Sequence, residues 1–145
     1  MKEHWLNYFK ESVDKNARMS KDENTKVGAV IFSEEDGVEV SSGWNDIPRG
    51  VIHTKERNSR PLKYKFTIHG ECNAIVNAAR MGRSTKGMSL MVNLSPCSIC
   101  SGMIVNAGIK KIYAPPPDFT HVQYGADFKL SIEILSEGGV EVEQI

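Results

Sequence analysis

Four residues in this sequence combine the chemistry of a metal ligand set with that of a proton carrier. Cys97 and Cys100 stand three positions apart in the segment PCSIC, and His69 and Glu71 stand two positions apart in HGE. Two thiols at the start of a helix favour the thiolate form that binds metal, because the free N–H groups and the helix dipole stabilise negative charge there. The two cysteines alone would equally suit a redox pair or two core residues.

His69 supplies the third ligand of a candidate metal site, in addition to the two thiols. One imidazole and two thiolates give three protein ligands, which is the number found in catalytic zinc sites with a fourth position open to water. A carboxylate ligand would block that water, so Glu71 would take a proton from it and would not bind the ion. We therefore predict a Zn²⁺ cofactor held by His69, Cys97 and Cys100, with Glu71 as the catalytic residue.

A zinc ion that only stabilises the fold is an alternative, and it would require a fourth protein ligand. Cys72 is the obvious candidate for this position. It follows Glu71 on a predicted helix, where neighbouring side chains point about 100° apart. We therefore expect Cys72 to face away from the metal, which favours an enzyme over a non-catalytic, zinc-stabilised binding protein.

Length and composition restrict the remaining possibilities. The 145 residues, of which 40% are hydrophobic, fit a single domain over residues 1–145. Eighteen basic residues balance eighteen acidic ones, so no overall field indicates a nucleic-acid or membrane partner. No apolar run approaches the length of a membrane span, and the N-terminus is too polar for a signal peptide. Three cysteines are too few for a typical disulfide framework, and we expect a cytoplasmic, intracellular protein.

Helix and strand patterns show how these residues can be brought together. The spacing of apolar residues predicts an N-terminal helix ending near Arg18, and Asp36-Gly37 predicts a hairpin between strands 27–33 and 38–45. Residues 46–68 are predicted to form a long ordered loop. Beyond it we predict alternating elements: helix 70–81, strand 88–94, helix 97–108, strand 109–114, helix 126–137 and strand 140–145.

This order of elements predicts an α/β fold, with a mixed five-stranded sheet, an N-terminal β-hairpin and parallel later strands. His69 and Cys97 both fall at predicted helix starts. The two helices can therefore direct these side chains towards one place.

The combination of H-x-E with P-C-x-x-C is the signature of zinc nucleobase deaminases. Four segments, 17–31, 43–50, 63–75 and 94–113, further resemble deoxycytidylate (dCMP) deaminases in order and spacing. The resemblance implies a three-layer α/β/α cytidine-deaminase-like fold. It also implies hydrolytic deamination of dCMP to dUMP and ammonia, which would supply dUMP for thymidylate synthesis. A cytidine, deoxycytidine or other nucleobase deaminase is the alternative within this superfamily.

Contacts to the base and sugar follow from the same resemblance. Asn45 would hold the deoxyribose, the backbone N–H of Gly70 would bind the base carbonyl, and the carbonyl of Ser95 would receive the amino group. From its local sequence alone, Asn45 is equally suited to forming a turn beside Asp46. The sequence LSPC, with Ser95 before the proline, departs from the Glu-Pro-Cys that is usual in relatives.

The resemblance also implies contacts at the two ends of the substrate. Ser20 and Lys21 match a Ser-Lys-Asp segment of the family and are candidates for binding the 5′-phosphate. Phe119 is a candidate for stacking on the pyrimidine, although the segment PPPDF would equally suit a stiff loop whose aromatic ring seals the core.

Effector binding is implied for the region that follows the second strand. Residues 46–65 contain six basic and two acidic residues, which suggests a phosphate-bearing partner, with a solvated basic loop as the alternative. In the family this region helps to bind activating dCTP at a subunit interface, so the resemblance implies a homo-oligomer with dCTP or dTTP as effectors. Asn45, Asp46 and Arg49 are the candidate residues. Asp46 replaces the family's usual glycine and argues against dCTP, because an acid near a triphosphate is unfavourable.

Overall fold

The structure, a computed structural model, describes residues 1–145. Its helices are α1 (Glu3–Ala17), α2 (Lys63–Phe66), α3 (Gly70–Arg80), α4 (Ser98–Asn106) and α5 (Gly125–Glu137). Its strands are β1 (Gly28–Ser33), β2 (Val38–Trp44), β3 (Ser89–Val92), β4 (Lys111–Ala114) and β5 (Glu141–Gln144). Every predicted helix and strand is present. None of the helices is both long and apolar enough to cross a lipid bilayer.

The five strands form one mixed sheet in the order β2-β1-β3-β4-β5. β1 is antiparallel to both β2 and β3, whereas β3, β4 and β5 are parallel. The β1–β2 hairpin turns at Gly37, whose φ of 66° lies in the left-handed region that glycine adopts without strain. The predicted hairpin and the predicted parallel strands are both confirmed.

Helices cover both faces of the sheet, because alternate residues of each strand point to opposite sides. Ala29 and Ile31 of β1 belong to a core cluster shared with α3, α4 and α5. Val30 and Phe32 belong to a second cluster on the opposite face, where they pack against α1. This confirms the three-layer α/β/α arrangement.

The segment 46–68, predicted to be an ordered loop, also contains a short helix that the sequence did not predict. Asp46 and Ile68 exchange backbone hydrogen bonds of 3.1 and 2.9 Å, which close the segment at its two ends. The short helix α2 lies inside it, and its Lys63 forms a 3.0 Å ion pair with Asp22, with both side chains only 7% exposed. This ion pair joins residues that are distant in the sequence, so local periodicity could not reveal it.

Candidate active site

The three predicted metal ligands meet at the starts of two helices. His69 is the N-cap of α3 and Cys97 is the N-cap of α4, so both lie where the chain enters a helix. Nδ1 of His69 is 3.4 Å from Sγ of Cys97 and 3.4 Å from Sγ of Cys100. The three ligand atoms all lie within 4.8 Å of one another.

Close packing of α3 on β2 brings His69 into this position. A Cβ atom added to Gly43 of β2 would lie only 2.4 Å from the backbone nitrogen of Ala74 in α3. A larger residue at position 43 would therefore push α3 away from the sheet. The absence of a side chain at this one position lets the helix that carries the site lie directly on the sheet.

The donor set fits a zinc ion. Nitrogen and sulfur ligands of a tetrahedral zinc stand about 3.6 Å apart, given bond lengths of about 2.1 and 2.3 Å, and the structure has 3.4 Å. Hydrogen bonding to Cys100 lowers the pKa of Cys97 to about 4, which makes it the thiolate that binds metal. His69, Cys97 and Cys100 would hold the ion. When bound, zinc would supply Lewis-acid chemistry and lower the pKa of a water at its open position to about 7.

Glu71 lies beside the ligand atoms without belonging to their cluster. Its side chain lines the cavity described below, and its Oε2 is 3.8 Å from Sγ of Cys100. The residue is only 4% exposed, and this burial raises the pKa of its carboxyl to about 6. A carboxyl with such a pKa can both take up and release a proton near neutral pH.

Cys72 differs from its expected orientation. Its Sγ is 3.4 Å from Sγ of Cys100 and 3.1 Å from Sδ of Met103, so the expectation that it faces away is wrong. The physical reason is that α3 packs against α4, and the 100° step after Glu71 turns the next side chain towards the first turn of α4. Cys72 nevertheless lies outside the group of mutually close ligand atoms, which keeps three members.

A cavity of about 370 Å³ opens beside Glu71 and the ligands. Besides His69, Glu71 and Cys97, its lining residues come from five separate parts of the chain: Asp22, Thr25, Val27, Asn45, Arg60, Lys63, Tyr64, Thr67, Leu94, Ser95, Pro115, Pro116, Asp118, His121, Tyr124 and Phe128. The cavity is large enough for a small organic ligand.

Two of the predicted substrate contacts, Asn45 and Ser95, line this cavity. Asn45 is partly engaged, because its Oδ1 accepts from the N–H of Val27 at 2.8 Å and its Nδ2 donates to the carbonyl of Thr25 at 2.9 Å. One amide hydrogen and one lone pair remain for a ligand. The carbonyl of Ser95 accepts no hydrogen bond within the chain. Gly70 opens α3, so its N–H has no partner inside the helix.

The other four predicted contacts, Gly70 among them, lie outside the cavity lining. Ser20 is 3% exposed, and its hydroxyl donates to the carbonyl of Asn45 at 2.8 Å, so it cannot also donate to a phosphate. Lys21 is exposed, and Phe119 is 47% exposed. Phe128, buried at 7%, is the phenylalanine that lines the cavity.

The other two candidate effector residues, Asp46 and Arg49, also lie outside the lining. The carboxylate of Asp46 accepts from the N–H of Ile47 at 2.8 Å and from Nε1 of Trp44 at 3.4 Å. Nη2 of Arg49 donates to Oδ1 of Asn77 at 2.8 Å. Both side chains are therefore already hydrogen-bonded to neighbouring residues.

Sequence analysis missed several residues of the cavity wall, among them His121 and Tyr124, and it counted Arg60 only as one of the six basic residues of segment 46–65. His121 has no motif partner, yet its Nδ1 accepts the N–H groups of Gln123 and Tyr124, each at 3.1 Å. In its neutral form the ring therefore carries its hydrogen on Nε2. The only available signal was the concentration of aromatic residues and one histidine in the loop before α5.

Comparison with known proteins agrees with this geometry. Residues 3–115 match the family model of the cytidine and deoxycytidylate deaminase zinc-binding region. An uncharacterized deaminase of Aliivibrio fischeri is 35% identical over 95% of this chain and 91% of its own length. Human deoxycytidylate deaminase is 35% identical over 74% of this chain, which spans 62% of that protein.

A solved structure matches the whole fold. The dCMP deaminase of the cyanophage S-TIM5, determined in complex with dCMP and dUMP, has a TM-score of 0.80 and 30% identity. The match covers 100% of this chain and 99% of the phage protein. The family model spans both motifs that contain the predicted zinc ligands and Glu71. Because the family model matches residues 3–115, which is more than half of this chain, the chain belongs to the cytidine and deoxycytidylate deaminase family.

Proposed function

We propose that this protein is a zinc-dependent hydrolase that converts dCMP and water to dUMP and ammonia. The observation that carries the proposal is the meeting of His69, Cys97 and Cys100 beside a buried Glu71 at the wall of the cavity. This is the ligand number of a catalytic zinc site, with a carboxyl group placed to move protons. Similarity over the full chain to a phage dCMP deaminase supports dCMP as the substrate.

The chain's own groups can be assigned to the steps of this reaction. The oxygen of water forms a bond to C4 of the cytosine ring, and the bond from C4 to the amino nitrogen breaks. Glu71 takes the two protons of the attacking water in turn, delivering the first to ring nitrogen N3 and the second to the leaving nitrogen, which departs as ammonia. The Ser95 carbonyl accepts a hydrogen bond from the amino group, and the Gly70 N–H donates to the base carbonyl.

Binding of the 5′-phosphate requires positive charge at the cavity, and Arg60 is suited to supply it. Its side chain is exposed and lines the cavity, whereas Ser20 is buried with its hydroxyl engaged and Lys21 lies outside the lining. Lys63 also lines the cavity, but its charge is paired with Asp22. An arginine can offer a phosphate two parallel hydrogen bonds.

Ammonia release from dCMP, deoxycytidine, dCTP and a cytosine-containing oligonucleotide tests the proposed function. We expect dCMP to have the highest kcat/KM, and Arg60→Ala to reduce the preference for dCMP over deoxycytidine by about tenfold or more, because charge-assisted bonds contribute about 1.5–3 kcal/mol each. Lys21→Ala is the matched control, since it removes the same charge outside the cavity, and it should keep the preference.

Equal turnover of nucleoside and nucleotide by the wild type would contradict the assignment of dCMP as the preferred substrate and would favour a cytidine deaminase. If Lys21→Ala lost the preference for dCMP and Arg60→Ala kept it, phosphate binding would be assigned to the segment that contains Ser20 and Lys21.

Setting and regulation are further parts of the proposal. All three cysteines are free, as is usual in the reducing cytoplasm, where we propose that the protein acts. We also propose a homo-oligomer. Regulation by dCTP or dTTP through Asn45, Asp46 and Arg49 stays a prediction, which effector titrations of dCMP turnover would test.

A further inference from the structure

Helix α5 contacts the turn that carries the cysteine ligands through a carboxylate. Oδ2 of Asp127 accepts the backbone N–H of Ser98 at 2.8 Å, and its Oδ1 accepts the Ser98 hydroxyl at 2.6 Å. Ser98 is the first residue of α4 and directly follows the ligand Cys97. The two bonds fix both the backbone and the side chain of this residue.

The start of α4 needs such an acceptor. The first N–H groups of a helix have no partner inside it, and the N-cap side chain normally accepts one of them. Here the N-cap is Cys97, whose Sγ accepts from the N–H of Cys100 at 3.5 Å and leaves the other N–H groups of the first turn without this partner. That sulfur is also a proposed metal ligand, so a charged acceptor from another helix provides the stronger hold on the turn.

A second contact from α5 reaches the other side of the same turn. The hydroxyl of Ser131 donates to the carbonyl of Pro96 at 2.8 Å, and Ser101 therefore donates its own hydroxyl hydrogen to Ser131 at 2.7 Å. Both serines are almost fully buried. The contacts from α5 thus reach the residue before Cys97, the residue after it, and the residue after Cys100.

The same helix also borders the substrate cavity. Tyr124, at the start of α5, and Phe128 within it both line that cavity. α5 lies beyond residues 3–115, the part of the chain that matches the family model. One helix outside that region therefore touches both the ligand turn and the cavity wall.

We propose that Asp127 is a positioning residue for the metal site, acting through Ser98 to hold the sulfur atoms of Cys97 and Cys100 in their ligand geometry. Ser131 supports the same turn through Pro96. The proposal rests on the metal site of the proposed function. Zinc affinity and the spectrum of a bound metal are read without substrate, so it can be tested even if dCMP proves not to be the substrate.

Asp127→Ala should weaken zinc binding and change the ligand geometry. Loss of a contact behind a ligand typically costs 10–100-fold in metal affinity or activity, so we expect the zinc dissociation constant to rise by about tenfold or more. Competition with a chromophoric chelator measures this constant. In the Co²⁺-substituted protein the visible absorption bands should shift, and kcat for dCMP should fall more than KM changes.

Glu133→Ala is the matched control, because it removes an exposed carboxylate from the same helix. It should leave zinc affinity and the cobalt spectrum as in the wild type. If Asp127→Ala gave the zinc affinity and the spectrum of this control, the proposal would be overturned.

Asp127→Asn keeps the test decisive if the alanine variant does not fold. The amide oxygen can still accept from the Ser98 N–H, while its NH₂ group cannot accept the hydroxyl. We expect a smaller rise in the zinc dissociation constant, of a few-fold, with an intermediate cobalt spectrum. Wild-type values for both measurements would overturn the proposal.

Discussion

Replacing Glu71 with glutamine should remove nearly all deaminase activity while leaving one zinc ion per chain. The carboxyl is buried and borders the cavity, but it lies outside the cluster of ligand atoms. Glutamine preserves the shape of the side chain and cannot carry the proton, so kcat should fall by at least about a hundredfold. Metal analysis and dCMP turnover on the same preparation measure the two effects together.

Glu133→Gln, a change at an exposed carboxylate of α5, is the control for this experiment and should retain both zinc and activity. Loss of zinc from Glu71→Gln would make Glu71 a ligand and would weaken the enzyme hypothesis. Near wild-type turnover in that variant would rule Glu71 out as the proton carrier.

Replacing Cys97 with alanine should abolish both zinc binding and turnover. The change leaves His69 and Cys100 as the only members of the ligand cluster. Metal ions contribute several kcal/mol of transition-state stabilisation, so activity should fall about a thousandfold or more at about 1.4 kcal/mol per factor of ten. Zinc content by atomic absorption and ammonia release measure the result. Removing zinc from the wild type with a chelator should have the same effect, and added zinc should restore activity.

Cys72→Ala is the matched control for this variant. Its sulfur is 3.4 Å from that of Cys100, but it lies outside the ligand cluster, so zinc should remain bound. If Cys97→Ala kept its zinc while Cys72→Ala lost it, the assignment of ligands would have to change.

The sequence was sufficient to predict the fold and the centre of the site because both depend on local patterns. His69 and Cys97 could be assigned to helix starts from the elements that follow them, and the structure has both as N-caps. Similarly, Asp36-Gly37 is a local turn signal, and it lies between the strands that pair as a hairpin.

Contacts between distant segments could not be predicted in the same way. Asp127 meets Ser98 across 29 residues of sequence, and Lys63 meets Asp22 across 41. Neither pair has a fixed spacing that a motif could record. The direction of the Cys72 side chain was predicted wrongly because what it faces depends on where α4 packs against α3. The geometry of an isolated helix cannot predict that packing.

Water labelled with ¹⁸O provides the most direct test of the central claim, which is hydrolytic deamination of dCMP at this site. The zinc-loaded wild-type protein is incubated with dCMP in labelled water, and the product is analysed by mass spectrometry. We predict dUMP carrying one heavy oxygen atom in its base, formed together with an equal amount of ammonia. Unlabelled dUMP, or the absence of deamination with zinc bound, would contradict the account.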